Sequence, residues 1–121
     1  MRLRVLVADD QAPFRKAARS LIAASAGFEL VGEATSGEQA VTLAEALHPD
    51  LVLMDIKMDG LGGIAAARAI ASTQAGTATI LVSTYREDEL PAEARTCGAA
   101  GYLHKAELGA PAITRLLRGK G

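Results

Sequence analysis

The run Leu51-Val52-Leu53-Met54 is apolar at every position and stops abruptly at a carboxylate, Asp55. Continuous apolarity without alternation predicts a strand covered on both faces, as in a parallel sheet. Asp55 then stands at the carboxyl end of that strand, the edge where open α/β sheets bind ligands. The same pattern recurs along the chain. Leu3 to Ala8 is a short Val- and Leu-rich run closed by Asp9-Asp10, and Thr79 to Val82 ends at Ser83. Gly101 to His104 ends at Lys105, and Glu29 to Ala34 is a weaker, less apolar strand expected at an edge of the sheet.

Between these runs the apolar positions shift to helical spacing. Phe14, Ala17, Ala18, Leu21 and Ile22 line one face of a first helix, with Pro13 in its first turn, where a missing N–H costs little. Ser36 and Gln39 form the pattern of a capping box ahead of a second helix. Its apolar face is Ala40, Val41, Ala44 and Leu47, and His48-Pro49 stops it because a residue before proline leaves the helical region. A loop with Gly60, Gly62 and Gly63 precedes a third helix carrying Ile64, Ala67, Ile70 and Ala71 inward. Ile113, Leu116 and Leu117 mark a last helix. A fourth should lie between Arg86 and Gly98, but Pro91 falls where its first turn belongs. Proline is tolerated in a first turn and breaks an interior one, so this helix is predicted to start near Leu90 or Pro91 and to be short. Five strand–helix units predict an α/β doubly wound domain with a parallel sheet between two helical layers.

Composition narrows the picture. The 121 residues are the size of one ordinary domain, assigned to residues 1–118, and Gly119-Lys120-Gly121 reads as the start of a linker. Half the residues are apolar but only 3% are aromatic, so the core must be Ala, Leu, Val and Ile. A net charge of -1 gives no charge-driven reason to expect nucleic acid or a membrane as partner. The single cysteine, Cys97, excludes an internal disulfide and suits a reducing cytoplasm. Arg2 and Arg4 interrupt the start, so no secretory signal is read, and no apolar stretch approaches transmembrane length.

The strand ends carry the chemistry: Asp9 and Asp10, Asp55, Ser83 and Lys105. In a parallel sheet these ends share one edge, and if the first and third strands are neighbours a crevice opens between them. Three carboxylates converging there need a cation among them, and hard oxygen ligands in a small open site suit Mg²⁺. A lysine ammonium and a serine hydroxyl can hold phosphoryl oxygens. A carboxylate nucleophile beside both is equipment for forming an acyl phosphate. Singly, each residue has a plainer reading: the Asp pair as a helix N-cap, Ser83 as a turn residue, Lys105 as a surface lysine. Their coincidence at successive strand ends is the specific signal.

Four stretches carry a family resemblance: Val5 to Gln11, Asp50 to Met58, Ile80 to Ser83, and Gly98 to Lys105. Over essentially its whole length the chain resembles a receiver domain of a two-component response regulator. The wording from Val31 to Ala34 and from Gly37 to Val41 is most similar to the NarL/FixJ (LuxR-type) subgroup. The resemblance implies a flavodoxin-like fold with strand order 2-1-3-4-5, an order that comes with the family and not from the residues. It implies that Asp55 accepts a phosphoryl group from a sensor histidine kinase. It further implies that Asp9, Asp10, Asp55 and the backbone carbonyl of Lys57 bind Mg²⁺, and that Ser83 and Lys105 bind the phosphoryl oxygens. Tyr102 matches the family's aromatic switch residue. As Ser83 moves toward the phosphoryl group, Tyr102 fills the vacated space and alters the surface of the fourth helix, fifth strand and last helix. The spacing to Lys105 selects Ser83 over adjacent Thr84. The family further implies a homodimer on phosphorylation, and transcription control through a carboxyl-terminal helix-turn-helix that binds DNA, a segment outside this chain. Catalysis would be limited to the chain's own phosphorylation and dephosphorylation.

Several positions depart from the family pattern. Asp59 stands where a proline is usual and reads as a solvated loop residue, and Ala106 replaces a frequent proline after Lys105. Thr84 is bulkier than the common residue, which would slow access of small phosphodonors. Lys57 and Tyr85 occupy positions that govern water access to the acyl phosphate, and both are large. His48 and His104 have no partners at metal-ligand spacing and read as structural or exposed. Two rival readings stand beside this one: a pseudo-receiver acting only through protein contacts, and a small Mg²⁺-dependent aspartyl-phosphate phosphatase. The intact Asp10, Asp55, Ser83 and Lys105 set argues against the first. The lack of room for a substrate cap argues against the second.

Overall fold

The computed structural model describes residues 2–120. Five strands, β1 (Leu3–Ala8), β2 (Phe28–Ala34), β3 (Leu51–Asp55), β4 (Ala78–Ser83) and β5 (Gly101–His104), form one parallel sheet in the order β2-β1-β3-β4-β5. The weak strand β2 lies at an edge, as its polarity predicted. Four α-helices flank the sheet: α1 (Ala12–Ala24), α2 (Gly37–Leu47), α3 (Gly63–Thr73) and α4 (Ala110–Lys120).

Both faces of the sheet are buried, which is why its strands are apolar at every position. Alternate residues serve opposite cores. Val5, Val7, Leu51, Leu53, Ile80 and Val82 pack with Ala18 and Ile22 of α1 and Ile113 of α4. Leu6, Ala8, Val52, Met54 and Leu81 pack with Ala40 and Ala44 of α2 and Ala67 and Ile70 of α3. Cys97 is buried in this second core as a small apolar residue, as expected. Three helix positions differ from the pattern: Ala66 is buried on α3, whereas Ala71 of α3 and Ala17 of α1 are exposed.

The helix ends follow local chemistry. Ser36 Oγ accepts the Gln39 N–H at 3.1 Å, as a capping residue should. The Gln39 amide oxygen, however, reaches one residue further back and accepts from the N–H of Thr35 at 2.6 Å. Pro13 sits in the first turn of α1, and the N-cap is Gln11, so the Asp pair does not cap that helix. His48 ends α2 with φ 48, and its Nδ1 lies 2.9 Å from Gln74 Oε1, a structural contact.

The predicted fourth helix is a correction. Between β4 and β5 the described residues form two 3₁₀ turns, Glu87–Glu89 and Ala92–Arg95, and no α-helix. Leu90 and Pro91 are both extended, with ψ 142 and 151, as the steric demand of a proline on itself and its predecessor requires. Gly98 at φ +91 closes the segment, so too few residues remain after Pro91 for more than a turn. Pro91 thus prevents the α-helix altogether, beyond delaying its start. The last helix, α4, continues through Gly119 and Lys120, two positions read as linker, and Gly121 lies outside the described residues. Among the described residues no helix is long and apolar enough to cross a membrane.

Strand β3 is clamped where it ends. The Gly63 N–H donates to the Ile56 carbonyl at 3.0 Å, and a Cβ on Gly63 would run into the Asp55 backbone carbonyl. A backbone atom cannot yield as a side chain does, so Gly63→Ala should destabilise the fold by about 3 kcal/mol in urea unfolding. Gly76→Ala, where a Cβ meets nothing within 4 Å, should stay within about 0.5 kcal/mol of the parent.

Candidate functional site

Register sets the site. Ala8 pairs with Met54, so Asp9 and Asp55 follow side by side past neighbouring strands. Asp55 pairs with Val82, one residue before Ser83, and Ser83 pairs with His104, one residue before Lys105. Each predicted residue therefore stands one step along the same sheet edge. Asp9, Asp10 and Asp55 each bring a carboxylate oxygen to within 4.8 Å of the others. Asp9 and Asp55 are buried, at 0% and 4% exposure, and Asp10 is exposed.

Lys105 is the counter-charge. Its Nζ lies 2.7 Å from Asp9 Oδ2 and 3.6 Å from Asp55 Oδ1, with the side chain only 13% exposed. Among the described residues the Lys105 ammonium is the one cation against Asp9 Oδ2, and Oδ1 accepts the Gln11 N–H at 2.8 Å. One ammonium, in ion-pair contact with Asp9 and Asp55, faces three carboxylates and leaves the cluster short of positive charge. Burial, with the neighbouring Asp9 carboxylate, pushes the Asp55 carboxyl from an ordinary 3.8 up to about 6. Lys105 opposes this shift, Asp10 adds to it, and the Lys57 backbone N–H opposes it weakly. A buried carboxylate oxygen met only by one ammonium, beside two further hard oxygen ligands, fits a small divalent cation such as Mg²⁺.

Two hollows meet at this cluster. One, of about 120 Å³, is lined by Gln11, Asp55, Lys57, Ser83, Thr84 and Lys105. The other, of about 310 Å³, is lined by Asp10, Lys57, Met58 and Asp59. Lys57 borders both, and its Nζ sits 5.1 Å from the centre of the Tyr85 ring. Ser83 is buried, and its Oγ accepts the Tyr85 N–H at 3.1 Å. Asp59 and Thr84 are exposed at the rim.

Tyr102 lies half-buried behind Ser83. Its hydroxyl donates toward the backbone carbonyls of Ser83, at 3.2 Å, and Tyr85. Burial raises the phenol pKa, so the hydroxyl stays protonated and remains a donor. The structure thus brings every predicted site residue to one edge, with Tyr102 one layer behind. Sequence reasoning missed three neighbours at the start of α1, one of them its N-cap. Gln11 Oε1 accepts from Lys105 at 3.4 Å, the Phe14 ring lies under the Lys105 ammonium, and Arg15 Nη1 donates to the Asp9 carbonyl at 2.9 Å. Arg15 and Arg19 in turn flank Glu33 on β2. The only signal for these contacts was their place in the turn after Asp9-Asp10.

Comparison with known proteins agrees with this geometry. The family model described as the response regulator receiver domain matches residues 5–116. Response regulator GacA of Pseudomonas aeruginosa is 39% identical over 103 residues, covering 85% of this chain and 48% of that protein. Response regulator UvrY of Escherichia coli is 41% identical over the same length, covering 47% of that protein. The chain therefore spans about half the length of the curated relatives it matches. Among solved structures, the receiver domain of NarL from Mycobacterium tuberculosis superposes with a TM-score of 0.87 at 32% identity, covering 98% of this chain and 96% of that one. A LuxR-family response regulator from Aurantimonas gives 0.87 at 30% identity, with 98% and 87% coverage. These likenesses match the subgroup read from the sequence, and the chain belongs to the response regulator receiver domain family.

Proposed function

We propose that this chain is a phosphorylation-activated signalling switch in which Asp55 accepts a phosphoryl group from the phosphohistidine of a sensor histidine kinase. The observation that carries the reading is the meeting of Asp55, the Asp9–Asp10 pair and Lys105 at one sheet edge, with Asp55 and Lys105 lining a hollow of about 120 Å³. An Asp55 carboxylate oxygen forms a bond to phosphorus as the phosphorus–nitrogen bond breaks, and the imidazole leaves with its electron pair. Ser83 and Lys105 hold the phosphoryl oxygens, one as a hydrogen-bond donor and the other as a point charge. Asp9, Asp10, Asp55 and the Lys57 carbonyl would hold Mg²⁺, which when bound neutralises charge building up on the transferred group. Water attack on phosphorus later releases inorganic phosphate and restores the carboxylate. No external substrate is turned over.

The signal leaves through Ser83 and Tyr102. Movement of Ser83 toward the phosphoryl group disturbs the backbone that Tyr102 holds, and the ring then turns inward. The readout surface is the face made by the two 3₁₀ turns, β5 and α4. This face, or the face shared by α1 and α4, would pair two copies after phosphorylation. Output would be transcriptional, through a DNA-binding segment outside this chain, in line with relatives about twice as long. The setting is cytoplasmic, with no membrane partner.

Incubation with phosphoramidate or acetyl phosphate and Mg²⁺ should add one phosphoryl mass to the protein, and Asp55→Asn should abolish it. Labelling that survives in Asp55→Asn would move the nucleophile elsewhere. An unlabelled parent would leave a module acting by protein contacts alone, and steady phosphate release from an external ester would make it a phosphatase.

The raised Asp55 pKa gives a second expectation. Protonation favours the folded state fully below about pH 4, and that stabilisation is lost as pH rises through about 6. Asparagine mimics the protonated form at every pH. In Mg²⁺-free urea titrations, Asp55→Asn should exceed the parent by up to about 3 kcal/mol at pH 7.5, the gap closing between pH 6 and 4. A gap independent of pH would count against the charge argument.

Lys57 and Tyr85 shield the acyl phosphate. Removing the ammonium–ring contact in Lys57→Ala, Tyr85→Ala should speed loss of the Asp55 phosphate about five-fold, followed by decay of the labelled mass. An unchanged decay rate would remove the shielding role.

A further inference from the structure

We propose that Phe14 is a positioning residue for Lys105, holding its ammonium in reach of Asp55 once a cation occupies the Asp9 carboxylate. The inference rests on the reading of Asp55 as phosphoacceptor and adds a residue to it. Four groups surround Lys105 Nζ: Asp9 Oδ2 at 2.7 Å, Gln11 Oε1 at 3.4 Å, Asp55 Oδ1 at 3.6 Å, and the centre of the Phe14 ring at 4.5 Å. The tightest of these is the wrong partner for phosphoryl transfer. An ammonium locked to Asp9 competes with a metal for the same oxygen, and a metal there repels the ammonium in return.

Once displaced from Asp9, the lysine needs a second anchor that a metal cannot take. The face of an aromatic ring attracts a cation but neither coordinates Mg²⁺ nor titrates. Phe14 meets that need by its place in the fold. It sits one residue after Pro13 in the first turn of α1, and its ring packs against the core under β1 and β3. Its position therefore does not depend on the charge state of the site. Gln11, the other neutral contact, is exposed and at the long limit of a hydrogen bond. With the ring as a fixed pivot, Lys105 needs only to shift its ammonium from Asp9, at 2.7 Å, toward Asp55, already at 3.6 Å.

Replacing Phe14 by 4-fluoro-, 3,5-difluoro- and pentafluorophenylalanine keeps the shape and drains the negative face of the ring stepwise. Phosphoramidate labelling of Asp55 at saturating Mg²⁺ should slow in the same order, by about five- to ten-fold at the end of the series. Phe14→Leu should behave like the last member, and the fluorinated rings guard against a leucine variant that folds poorly. In a Lys105→Met background the series should have no effect, because the coupling partner is gone. Independently of labelling, the Lys105 ε-methylene protons of the Mg²⁺-free protein should resonate upfield through the ring current and return to ordinary values in Phe14→Leu. Equal labelling rates across the series, an equal slowing in Lys105→Met, or an unshifted lysine in the parent would each overturn the role of Phe14. A parent that is never labelled on Asp55 would instead overturn the phosphoacceptor reading, and this inference with it.

Discussion

Everything at the functional edge follows from an electrostatic shortage. The sheet register delivers three carboxylates to within a few ångströms of one another and supplies one ammonium for them. Carboxylates so close, two of them buried, cannot all ionise comfortably in a low-dielectric setting. The protein as folded is therefore under-neutralised and Asp55 is held back from ionising. Such a site gains from a cation, and a cation in turn makes an anionic phosphoryl group tolerable beside Asp55. If the site takes up Mg²⁺ and a phosphoryl group as proposed, charge implies the order: metal first, then the group whose charge it offsets.

The scaffold spends little on this arrangement beyond backbone precision. Alternating residues of each strand bury themselves in two separate cores, so the strands are held from both sides and their ends cannot drift. At the end of β3 the contact between Gly63 and the Asp55 carbonyl is closer than any side chain would permit. Gly37 at the start of α2 approaches the Gly62 backbone in the same way, so two helix starts and one strand end are packed backbone against backbone. A functional carboxylate carried there inherits the stiffness of the core instead of the mobility of a loop.

Much of this was legible in the residues. A run such as Leu51 to Met54 has one sensible environment, and β1 and β5 lie where the apolar runs predicted them. The helical stripes of α2 and the last helix were likewise read correctly, and that of α1 except at Ala17, because burial of a face leaves a periodic trace. The segment from Arg86 to Gly98 was not, because the strand–helix alternation called for a helix there and Pro91 was read only as delaying its start. In the structure the local steric demand of proline outweighs that alternation. The contacts of Phe14, Gln11 and Arg15 with the site were also invisible. They join the first turn of α1 to residues at far ends of other strands, and only the three-dimensional register brings them together. Phe14 had an adequate explanation as an apolar helix position, which concealed its second contact.

The pair of 3₁₀ turns between β4 and β5 has a consequence for how the domain works as a machine. An α-helix is a cooperative unit, and shifting it means moving or fraying a whole ladder of hydrogen bonds. Short 3₁₀ turns carry few such bonds with poorer geometry, and only Ala94 and Cys97 of this segment are buried. The segment next to Tyr102 is thus a local region of low cooperativity bounded by rigid strands. Under the proposed phosphorylation of Asp55, rearranging so soft a segment would require little work. The resting domain would then fluctuate between two arrangements, with phosphorylation tilting the balance between them.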